Sequence, residues 1–89
     1  MLHLDMSALE TAVFAAPDLL GDTFVKLGLM FSIGMEVPAD RVAAHKWFNL
    51  AAFKGNAEAV RLRKELAAEM SEDDIAEAQR AAREWISTR

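Results

Sequence analysis

The chain has 89 residues, 53% hydrophobic and 27% charged, with two prolines and four glycines; this is one small domain able to fold, neither disordered nor low in complexity. Fourteen acidic against ten basic side chains give a net charge of -4, the wrong sign for a protein that gains affinity by neutralising phosphates, so nucleic acid is not an expected partner. Cysteine is absent, which excludes disulfide frameworks, Cys-ligated zinc and thiol nucleophiles.

The opening Met-Leu-His-Leu-Asp lacks the positive stretch of a secretory leader. In the apolar first third the longest uncharged run, Leu27 to Met35, is nine residues, far below the ~20 that span a bilayer. The expectation is a soluble, cytoplasmic protein without a membrane span.

No stretch alternates apolar and polar residues and no Asn-Gly or Asp-Gly turn joins β-branched runs, so the expected class is all-α. A first helix over 7–16 begins at Ser7, which stands at capping-box spacing from Glu10, and stops before Pro17. A second, over 18–33, has Asp18 as its N-cap and Gly34 at its end. Pro38 and Asp40 open a third over 39–54, with Asp40 as cap and Gly55 as terminator; 56–69 forms a fourth. Ser71, with Asp74 three residues on and acids at 72 and 73, starts the last helix over 72–87.

Periodicity assigns the buried faces. In the last helix Ile75, Ala78, Ala82, Trp85 and Ile86 recur at three- and four-residue steps; in the fourth, Ala59, Leu62, Leu66 and Met70 do so more weakly. Helix 18–33 carries two apolar lines: Leu20, Phe24, Leu27 and Phe31, and beside it Val25, Leu29 and Ile33. A helix apolar on two sides is either sandwiched within its own domain or awaits a partner.

A shift of 36 residues places Ala8, Ala15, Ala16 and Asp22 on Ala44, Ala51, Ala52 and Glu58, a sparse self-match whose paired small residues suit close helix crossings. Between them runs Leu27-Gly28, Phe31, Gly34, Val37, Asp40, Ala44, Trp47-Phe48, Ala51-Ala52, Gly55, Ala59. This spacing resembles the Sel-one-like repeat family, a tetratricopeptide-related α-solenoid whose unit reads A-x3-L-G-x2-Y-x2-G-x-G-V-x2-D-x3-A-x2-W-[FY]-x2-A-A-x2-G-x3-A. Thr23 stands for the opening alanine, Phe31 for the tyrosine and Glu36 for the second glycine of the loop. The resemblance implies a right-handed stack of antiparallel helical hairpins, about five helices in one domain. In that division 7–22 is a degenerate half repeat, 23–58 the well-matched unit, and 59–87 a degenerate first helix plus a capping helix. Gly28 is expected where a neighbouring helix leaves no room for a Cβ, against Ala51 or Ala52, with Trp47 and Phe48 filling the space between hairpins.

Catalytic and ligand-binding patterns are weak. His45 finds Phe48 and Asn49 at the positions where a metal site would put partners, and reads as an exposed helix histidine. Glu72, Asp73 and Asp74 are explained by the dipole of the helix they open. No Ser-His-Asp set, phosphate loop or His pair is present, so no enzyme activity, cofactor or metal is expected. Arg61, Arg63, Lys64, Arg80, Arg83 and Arg89 interleave with Glu58, Glu65, Glu69, Glu77 and Glu84 at ion-pair spacing, which favours a salt-bridged solvent face over a basic patch.

If helix 18–33 takes the inner position of a hairpin, Asp22, Val25, Leu29, Ser32 and Ile33 face the groove, and Arg61 and Glu65 extend it. Cover of this line from within, by helix 7–16 through Leu9, Val13 and Phe14 or by the last helix, is the equal alternative. The family resemblance implies a non-catalytic adaptor or scaffold that binds a protein segment. The other reading is a structural small subunit or obligate homodimer whose apolar N-terminal face is an assembly surface.

Overall fold

The computed structural model describes residues 17–88, and they form four helices: α1 (Pro17–Ile33), α2 (Arg41–Phe53), α3 (Ala57–Ala67) and α4 (Glu72–Ser87). Among the described residues there is no strand, as the absence of alternating patterns requires. The helix expected over 7–16 lies outside the described residues. Helix α1 already includes Pro17, so Asp18 sits within its first turn rather than at the N-cap.

Each boundary has a local cause. Gly34, at φ 75, ends α1; the Gly34 and Met35 N–H groups both donate to the Met30 carbonyl, at 2.8 and 3.0 Å. The next free carbonyl, Phe31, accepts from the Asp40 N–H at 2.9 Å, which draws the connecting loop back onto the helix it leaves. Asp40 then caps α2, its carboxylate accepting from the Ala43 N–H at 3.1 Å. Gly55, at φ 88, closes α2 with paired bonds, Gly55 N–H to Ala52 at 2.9 Å and Asn56 N–H to Ala51 at 3.1 Å, the Schellman arrangement. Asn56 caps α3 by accepting from the Ala59 N–H at 2.9 Å, and Ser71 caps α4 by accepting from the Asp74 N–H at 3.1 Å. Helix α4 has the bounds expected for it, whereas α2 and α3 are shorter at both ends than 39–54 and 56–69.

Glu36 holds φ 67, a left-handed conformation that costs an L-residue about 1 kcal/mol or more and that glycine adopts freely. The α1–α2 loop therefore turns through left-handed backbone at 34 and again at 36, although the second position carries a side chain.

Helix α2 is the centre, packing on α1, α3 and α4. On its α1/α4 side the core joins Leu20, Phe24, Val25 and Leu27 to Trp47, Leu50, Ala51 and Ala82, with Ala59 of α3 reaching into it. The rings of Phe24, Trp47 and Trp85 meet in a triad, with centroids 5.3 Å apart for Phe24–Trp47 and Phe24–Trp85 and 6.0 Å for the two indoles. On the α3 side Ala44, Phe48 and Leu66 form a second cluster, supported by Phe31, Leu62 and Met70. Gly28 has its reason here: a Cβ on it would lie 2.3 Å from the Phe48 ring. The close neighbour is thus Phe48, one turn before the alanine pair expected for that role.

Candidate partner-binding face

Along α1, residues 100° apart per step divide cleanly. Leu20, Phe24, Leu27 and Gly28 are buried on one side, and Asp22, Lys26, Leu29 and Ile33 stand exposed on the opposite side at steps of four, three and four. Leu29 is 38% exposed and Ile33 65%. Val25, on the flank between the two sides, is buried in the core, so the second apolar line divides instead of facing outward as a whole. Ser32 is half-buried. Met35, 55% exposed just beyond the end of α1, adds to the apolar tip formed by Ile33; its place past the terminating glycine put it outside the helical periodicity that identified the others.

The charged members of the expected groove are engaged locally. The Asp22 carboxylate accepts from the Asn56 side-chain amide at 3.0 Å, fastening the base of α1 to the α2–α3 corner. Gly21, Asp22, Lys54, Gly55, Asn56 and Ala57 line an open hollow there of about 370 Å³. Arg61 and Glu65 pair with each other at 2.8 Å on α3, and Arg61 also reaches Glu58 at 3.7 Å. With Arg80–Glu77 at 3.8 Å on α4, these are the exposed i,i+3 and i,i+4 pairs expected from the interleaved charges, each worth a few tenths of a kcal/mol.

His45 departs from expectation. It is not an exposed helix residue but 2% exposed, because α2 is packed on more than one side. Its Nδ1 lies 3.0 Å from the Asn49 amide nitrogen, and the Asn49 carbonyl oxygen accepts from Arg63 Nη1 at 3.0 Å. Burial, then the Arg63 charge, hold the imidazole pKa below its ordinary value of 6.5. Asn49, one turn from the ring, carries the signal that was legible: a polar pair at i,i+4 that can satisfy a buried histidine as well as an exposed one.

Among the described residues no group of three or more His, Asp and Glu side chains is placed to hold a metal ion, and no helix is long and apolar enough to cross a membrane. Fold and face together define a small all-helical domain with an apolar tip on its first described helix. No family model, curated protein or solved structure matches the chain.

Proposed function

We propose that the chain is a Sel-one-like repeat protein acting as a non-catalytic adaptor, which holds an apolar protein or peptide segment against the exposed face of α1, taken as the inner, groove-lining helix face of the repeat. The carrying observation is the exposure of Leu29 and Ile33 on the side of α1 opposite its core residues, continued by Met35. Residues 23–58 are the repeat unit in this reading, and the helical hairpin is the start of a right-handed stack. Three features support it: the ungapped motif spacing from Leu27 to Ala59, the burial of Trp47, and left-handed backbone at Gly34, Glu36 and Gly55, the three loop positions where the repeat carries glycine. Asp22, Ser32, Arg61 and Glu65 frame the contact by charge and hydrogen bonding, while Val25 supports it from beneath.

Leu29→Glu tests the reading. The expected result is loss of the captured partner with helicity and thermal midpoint within a few degrees of the parent, since an exposed substitution changes stability by about 0.5 kcal/mol or less. Light scattering on the purified parent separates the alternative: a homodimer that Leu29→Glu converts to monomer makes the face an assembly surface. Retention of partner by the variant would remove Leu29 from the site.

A further inference from the structure

The polar relay between α2 and α3 has a direction, and that direction does not tolerate a second proton on the imidazole. A guanidinium can only donate, so Arg63 Nη1, at 3.0 Å, fixes the Asn49 oxygen toward itself. The Asn49 amide nitrogen is thereby turned to His45 Nδ1, also at 3.0 Å. Nδ1 must accept, and the ring proton of neutral His45 sits on Nε2. In imidazolium both nitrogens carry hydrogen, and Nδ1–H would point at the amide N–H. Turning the amide over restores that bond but sets its nitrogen against the guanidinium. Either way one of the two hydrogen bonds is lost at a site where the ring is 2% exposed.

We propose that Arg63, Asn49 and His45 form a proton-sensitive latch that holds α3 against α2 and loosens when His45 becomes doubly protonated. The charges around it reinforce the effect. Arg63 on α3 is the charge that acts on the ring, and it repels imidazolium. One turn earlier on α2, Arg41 is held 3.6 Å from Glu69, just beyond α3; Lys46, next to the ring in sequence, lies over the Trp47 face at 4.5 Å. From the other two neighbours of α2, Asp22 and Lys26 on α1 and Asp73, Asp74, Glu77, Arg80, Arg83 and Glu84 on α4 are exposed to solvent. None of these acids is engaged with the imidazole to favour its charged form.

The consequence for stability follows from linkage. The unfolded chain takes up the proton at the ordinary 6.5 and the folded chain below it, so the latch's contribution is complete above 6.5 and is lost as pH falls from there toward the lower folded value. The device rests on the α2–α3 packing alone and holds whether or not α1 binds a partner.

Urea unfolding followed by helical circular dichroism, at steps from about pH 8 to about pH 5, tests it on the parent, His45→Gln and Asn49→Asp. The parent midpoint should fall across the acidic half of this range, and His45→Gln, which has no ring to titrate, should fall less. Asn49→Asp should reverse the trend, because a carboxylate accepts from both imidazolium and guanidinium and so raises the His45 pKa. Equal pH dependence in parent and His45→Gln, or an Asn49→Asp midpoint that falls like the parent's, would overturn the latch. Should either variant fail to fold, nitrogen NMR of the parent ring decides: an Nε2–H tautomer titrating below 6.5 is expected, and an Nδ1–H tautomer or a normal titration refutes it.

Discussion

The two sides of α2 hold their neighbours by different physics. Toward α1 and α4 the contact is apolar and ring-rich, Trp47 meeting Phe24 and Trp85 with centroids 5.3 and 6.0 Å away. Toward α3 the apolar cluster is smaller, Ala44, Phe48 and Leu66, and a line of hydrogen bonds from Arg63 through Asn49 to His45 runs beside it. Aromatic packing is insensitive to pH and proportional to buried area; a hydrogen-bond relay is weak in net energy but sensitive to which atom carries a proton. On this reading the central helix has one neighbour, α3, whose docking responds to pH through His45, and two whose docking does not.

The largest expected effect lies on the aromatic side. Trp47→Ala removes the ring that α1 and α4 share and should lower unfolding free energy by about 3 to 5 kcal/mol, measured by chemical denaturation, with α4 losing hydrogen-exchange protection before α3. A loss confined to about 1 kcal/mol would show that the triad is not what closes this side. Next comes Gly28→Ala, where the new Cβ would meet the Phe48 ring at 2.3 Å. Overpacking of this kind costs about 1 to 3 kcal/mol, and because Phe48 also packs on Leu66, displacement of its ring should appear in NMR shifts on α3. The smallest effect is a gain: Glu36→Gly relieves a residue at φ 67 and should raise stability by about 0.5 to 1 kcal/mol without altering either side of α2. A decrease would mean that the Glu36 side chain itself contributes to the loop.

Features governed by neighbours in sequence were legible before any coordinates. Asp40 and Ser71 cap where their types and spacing indicate, Gly34 and Gly55 end their helices, and the start of α4 follows from its first-turn acids. Asn56, directly after a terminating glycine, is itself a start signal; it also reaches across to Asp22, a contact 34 positions away that no local rule supplies. The burial of His45 is not written in its local sequence. Ala44, Trp47, Phe48 and Ala51 mark one face of α2, but Leu50 and His45 lie on opposite flanks of it and both are buried, because three helices surround α2 and only tertiary arrangement says so. On α1 the two apolar lines were visible, yet which of Val25, Leu29 and Ile33 would be covered depended on the angle at which α2 and α4 meet that helix. Gly28 announced a close approach without naming the ring that makes it.

The chain carries two tryptophans, and both stand in the triad, 6.0 Å apart. Its intrinsic fluorescence is therefore a local instrument: emission follows the seating of α4 on the α1–α2 pair, and α3 enters that cluster only through Ala59 and Leu62. An acid-induced release of α3 would move the emission maximum less than it changed helical content, so disagreement between the two optical signals, commonly taken as a fault in a two-state analysis, would here report which helix had let go.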